Sequence, residues 1–101
     1  MKKTQLTIYV KAADMHGDQA LYEVLVQRLS HAEVAGATVF RGAMGYGRHG
    51  KMHRKRLFGV SDDQPMLIIA IDDEARLRHA LHDIRPLIAE RLITLQEVEV
   101  L

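Results

Sequence analysis

Residues 5–13, QLTIYVKAA, alternate in polarity: Leu6, Ile8 and Val10 fall on one side, Thr7, Tyr9 and Lys11 on the other, which is the period of a strand. DMHGD then supplies turn chemistry, and Asp18 is placed to cap the helix-patterned segment after it. Leu21, Val24, Leu25, Arg28, Leu29 and Ala32 keep helical spacing, and Gly36 ends the connection. ATVFRGAM, residues 37–44, predicts a second strand whose end dissolves into a glycine-rich loop. PMLIIAID, residues 65–72, predicts a third strand, apolar on both faces. Asp72 or Asp73 is placed to cap a second helix carrying Leu77, Leu81, Ile84 and Ile88 on one stripe. Pro86 removes a hydrogen bond there, so the helix kinks or restarts with Pro86 in its first turn. LITLQEVEVL closes the chain as a fourth strand.

The order β-α-β-β-α-β predicts an α+β, ferredoxin-like fold: a four-stranded antiparallel sheet with two helices on one face. Two helices cover only one face, yet the third strand carries Met66, Ile68 and Ala70 on one side and Leu67, Ile69 and Ile71 on the other. The uncovered face is therefore expected to bury apolar residues against other copies of the chain.

At 101 residues, 48% apolar and 27% charged, the composition is that of one globular domain spanning 1–101. No window approaches the roughly 18 consecutive apolar residues of a membrane span. The N-terminal alternation reads as a strand rather than a signal-peptide core, so a cytoplasmic location is expected. With no cysteine, disulfides, thiolate catalysis and zinc fingers are excluded.

Charge changes the picture more. The formal net charge is +1, but Arg41, Arg48, Lys51, Arg54, Lys55 and Arg56 lie between Gly36 and Phe58 with no acid among them, leaving −5 for the remainder. After Glu33 the next carboxylate is Asp62. Positive potential is thus concentrated in one glycine-hinged loop, which favours anionic partners. Glycine turns at φ > 0 expose successive amides as anion-binding nests, and arginine adds bidentate phosphate recognition. Gly42, Gly45 and Gly47, with Arg41, Arg48 and Lys51, can hold a phosphate this way. Their spacing matches neither the dinucleotide fingerprint nor a P-loop, and the same glycines also suit a plain hairpin end. Tyr46 can stack on a base or pack in a subunit interface, the interface being favoured.

Other chemistry is weaker. His49 and His53, or His79 and His82, offer a metal two imidazoles each but no third ligand at short spacing, so no metal site is assigned; protonation could tune the loop instead. The run RHGKMHRKR resembles a nucleic-acid patch, but the domain is not strongly basic and the loop is poor in aromatics, so nucleic acid is not the expected partner. Ser30 and Ser61 have no evident base, and Asp62–Asp63 and Asp72–Asp73 read as turn and cap residues, so no enzyme activity is expected.

LTIYV, GATVFRGAMGYG, QPMLIIAIDD and LITLQEVEV, in that order and spacing, resemble an uncharacterised family of PII-like proteins of bacteria and archaea, classed as a domain of unknown function and often encoded beside, or fused to, fluoride-channel genes. The resemblance implies a homotrimer with sheets turned inward. It also implies an adenine nucleotide (AMP, ADP or ATP) in clefts between subunits, at the base of the loop joining the second and third strands. Arg41, Gly42, Gly45, Tyr46, Gly47, Arg48 and Lys51 would then meet the ligand, and His53, Arg54, Lys55 and Arg56 a partner such as a membrane transporter or channel. PII proper carries a glycine-lysine phosphate turn after its second helix. Here that turn reads AERLIT, with Arg91 where relatives have glycine, so 2-oxoglutarate sensing is not carried over. The alternative is a ligand-free oligomeric module that binds membrane headgroups or nucleic acid through residues 45–56.

Overall fold

A computed structural model describes residues 1–47 and 64–101, together with the backbone of 52–54. Its strands and helices are β1 Lys2–Lys11, β2 Met15–His16, β3 Gln19–Ala20, α1 Leu21–His31, β4 Ala37–Arg41, β5 Met44–Tyr46, β6 Met52–Arg54, β7 Pro65–Asp72, α2 Glu74–Ile84 and β8 Ile93–Glu99. Strands β4, β7, β1 and β8 form one sheet in that order, every pair antiparallel. The sheet and its two helices are the ferredoxin-like arrangement expected from the hydrophobic pattern.

Register assigns the two sheet faces. Ile8 pairs with Ile68 and Ile93, and Ile68 also pairs with Val39; Leu6 pairs with Ala70 and Leu95. These rows lie under the helices, which bury Leu21, Val24, Leu25 and Leu29 from α1 and Leu77, Ala80, Leu81 and Ile84 from α2. The opposite face carries the row Tyr9, Leu67, Phe40, then Thr94, Thr7, Ile69, Thr38, then Gln96, Gln5, Ile71. No described element covers it, and Phe40 is 51% exposed. Ile68 is therefore the core residue and Ile69 the one on the open face.

Two local expectations are corrected. The N-cap position of α1 is Ala20 rather than Asp18 and makes no side-chain cap bond; Asp18 sits in the tight turn between β2 and β3, where Gly17 takes φ +63°. The helix runs to His31 with Ala32 as its C-cap, where its apolar spacing ends, and Gly36 lies beyond it in the connection to β4: Val34 N–H donates to Leu29 O, Glu33 N–H to Ser30 O, and Glu33 holds the left-handed position with φ +63°. That is a Schellman closure with glutamate where glycine is usual, sealed by buried Val34 and Leu29. The second strand stops at Arg41 instead of reaching Met44, and Met44–Tyr46 pairs separately with Met52–Arg54 as a two-stranded ribbon. At Pro86, α2 gives way to a 3-10 turn, Arg85–Leu87, with the proline near its start, as the restart reading requires.

Candidate functional site

The ribbon leaves the sheet where β4 ends and β7 begins, and three contacts tie that junction together. Gly42 N–H donates to Pro65 O at 2.8 Å, Ala12 N–H donates to Gln64 O at 2.8 Å, and Arg41 Nη1 donates to Gln64 Oε1 at 3.1 Å. Gln64 is almost fully buried. A β-carbon on Gly42 would stand 2.6 Å from Pro65 Cγ, and one on Gly45 would touch the same atom at 3.4 Å. Gly42 is needed for close approach. No described atom lies within 4 Å of where a β-carbon on Gly47 would stand.

The expected use of these glycines is corrected in one respect. Among the described glycines only Gly17 has positive φ, so Gly42, Gly45 and Gly47 do not form an amide nest. Pairing of Met44–Tyr46 with 52–54 keeps the backbone extended, and extended strands do not present consecutive amides to one anion. Among the described residues of the ribbon and its base, Arg41 is the cationic side chain placed to meet an anion.

Of the residues expected to meet a ligand, Arg41, Gly42, Gly45, Tyr46 and Gly47 are brought together along the outgoing limb of the ribbon. Gly45 leans on Pro65 while Met44 and Tyr46 are exposed, Tyr46 at 71%. Arg48 and Lys51 lie outside the described residues, as do Lys55 and Arg56 of the expected partner set. His53 and Arg54 are placed by backbone only, His53 opposite Gly45 and Arg54 opposite Met44.

Elsewhere the charged residues serve the fold. Asp72 is buried beneath the start of α2; its Oδ1 accepts from Asp73 N–H at 2.7 Å and its Oδ2 from Ala35 N–H at 2.9 Å. Burial alone would raise its pKa. The two backbone donors, with Arg76 and Lys3 nearby, outweigh burial and hold it below its ordinary value of 3.8. Asp73 occupies the N-cap position but caps nothing with its side chain, which pairs instead with Lys3 at 2.7 Å. Arg91, in the turn before β8, bonds Asp14 at 3.2 Å. His79 borders an open cleft of about 620 Å³ shared with His31, Arg76 and Asp83, whereas His82 borders a separate depression with Arg78 and Arg85. The two imidazoles do not converge, and the described residues contain no group of three histidine or carboxylate side chains positioned for a metal.

Gln64 is absent from the expected site. It lies 23 positions from Arg41 in sequence, and only the β4–β7 pairing brings the two together. It is the last of a polar run, residues 61–64, so nothing in its local sequence sets it apart.

An antiparallel sheet in this order, with two helices on one face and a ribbon sprung from the junction of its second and third long strands, defines the PII-like class of the ferredoxin-like fold. The chain belongs to the DUF190 family, described as "Uncharacterized ACR", whose model matches residues 3–100. It is 31% identical over 101 residues to a UPF0166 protein of Aquifex aeolicus, covering 100% of this chain and 95% of the relative. It is similar in fold to CPII of Thiomonas intermedia K12 bound to ADP and bicarbonate, at TM-score 0.73 and 24% identity, covering 99% of this chain and 89% of CPII. A putative PII-like signaling protein of Thermus thermophilus matches at TM-score 0.68 and 15% identity, over 100% of this chain and 91% of that one. No helix among the described residues is long and apolar enough to cross a membrane.

Proposed function

We propose that this PII-like protein is a regulator that binds an adenine nucleotide at the base of the ribbon and contacts a partner through the basic segment 45–56. The observation that carries the reading is Arg41: a guanidinium held by a buried amide where the ribbon leaves the sheet, in the helix-side row of Met66, while the opposite, open face bears Phe40, Leu67 and Ile69. That face supports assembly as a trimer, in which the clefts between copies would be lined by the ribbon base. The ADP bound to CPII, on the same fold, supports the choice of ligand. Regulation follows if the nucleotide binds one arrangement of the ribbon better than another, because a partner that reads the ribbon then senses occupancy. No catalytic step is assigned.

Isothermal titration with AMP, ADP and ATP tests the reading. Wild-type protein should bind at least one of them, and Arg41→Ala should weaken it about ten- to a hundredfold, the loss expected for a direct charge-assisted contact. Absence of binding at millimolar nucleotide would favour the ligand-free module instead.

A further inference from the structure

We infer that Gln64 is the positioning residue of the phosphate site: it aims the Arg41 guanidinium without neutralising it. This inference rests on the nucleotide reading and names a determinant that reading lacks. Three observations combine. The Gln64 side chain is buried, so its amide is not free to wander. Its backbone carbonyl accepts from Ala12 N–H at the end of β1, which fixes the residue to the central strands rather than to the ribbon. Its Oε1 accepts from one terminal nitrogen of Arg41, at 3.1 Å.

The chemistry of that pair matters. Guanidinium is planar, so fixing one of its nitrogens restricts the plane in which its remaining donors lie. Bidentate recognition of phosphate needs that plane held. A carboxylate in place of the amide would orient Arg41 equally well but cancel its charge and compete with an incoming anion. No described carboxylate forms an ion pair with Arg41, whereas Arg76, Arg78 and Arg91 each have one. Among the described residues the junction thus holds an arginine that is oriented by an amide and paired with no carboxylate, the combination an anion site requires.

Two substitutions separate orientation from charge, and both leave the Gln64 backbone bond to Ala12 in place. Gln64→Glu should weaken ADP binding about tenfold or more and flatten its dependence on salt, because the site loses a net positive charge. Gln64→Leu should weaken ADP by less and keep the wild-type salt dependence, because the charge stays and only its aim is lost. Arg41→Lys, with Gln64 intact, should reproduce the Gln64→Leu pattern, since the ammonium lacks the planar fork. Titration calorimetry with ADP at several salt concentrations reads all three, and Gln64→Met, which keeps the volume but has no amide acceptor and should match Gln64→Leu, decides the matter should another Gln64 variant fail to fold. If wild type binds ADP and these variants match it, or if Gln64→Glu and Gln64→Leu lose affinity with the same salt dependence, the inference fails while the nucleotide reading stands. If wild type binds no nucleotide, the reading itself fails and the inference with it.

Discussion

Gly42→Ala tests the junction most sharply. The new methyl would lie 2.6 Å from Pro65 Cγ, about 1 Å inside ordinary carbon–carbon contact. Its neighbour cannot rotate away, because the proline ring is fixed to the backbone and Pro65 is in register with Lys11 of β1. Relief requires Gly42 to back off its 2.8 Å bond to Pro65 O. Overpacking of this kind costs about 1–3 kcal/mol, and a weakened hydrogen bond adds about 0.5–1.5 kcal/mol. Restricting the unfolded chain returns about 0.4–1 kcal/mol. The net is a destabilisation of about 2 kcal/mol, or a fall in Tm of roughly 8–16 °C. Urea denaturation at fixed protein concentration measures it, since self-association would otherwise shift the midpoint. Pro65→Ala removes the clashing Cγ and leaves Pro65 O at 3.2 Å, so the double variant should recover about 1 kcal/mol relative to additivity. Gly47→Ala, whose new methyl meets no described atom within 4 Å, is the control and should stay within about 0.5 kcal/mol of wild type. Gly42→Ala within that same margin, or strict additivity with Pro65→Ala, would refute the close-approach argument.

Glu33→Gly should stabilise the protein by about 1 kcal/mol in thermal unfolding, because Glu33 holds φ +63° where glycine is unstrained. Asp72→Asn should cost about 1–3 kcal/mol at neutral pH, since one amide cannot accept from both Asp73 and Ala35 with full carboxylate strength. The folded pKa of Asp72 lies below its ordinary 3.8, so its contribution is present above that value and lost as pH falls through the folded pKa; the gap between Asp72→Asn and wild type should close in acid. Ile69→Lys should lower the sedimenting mass while keeping the circular dichroism of the fold, whereas Ile68→Lys, in the fully buried row, should unfold the chain.

Much of the fold is legible in the sequence because its periods are clean. The alternation of β1, the stripe Leu77–Leu81–Ile84–Ile88 and the break at Pro86 each have a local cause, and each appears in the structure. Ile68 and Ile69 cannot be told apart by pattern, because a strand apolar on both sides has nothing to break the tie; only the pairing of Ile68 with Ile8 and Val39 on neighbouring strands does so. Asp18 has the residue type of a cap, but the β2–β3 turn absorbs it. The glycines 42, 45 and 47 suggest a loop with left-handed turns. Instead Gly42 makes a close approach to Pro65 and Gly45 sits in a ribbon pairing, and neither is visible without the partner strand. Arg41 stands out by its charge and its neighbours. Its anchor Gln64 does not, because a side-chain bond across 23 positions leaves no local trace.

The central claim is that nucleotide at the junction changes the state of the ribbon. Hydrogen exchange of the peptides spanning 42–54, with and without saturating ADP, tests it most directly. The account predicts slower exchange in those peptides when ADP is bound, and no comparable change in β1 or β7, whose amides are already paired in the sheet. Identical exchange across 42–54 in the two states, with calorimetry showing the site to be filled, would contradict it.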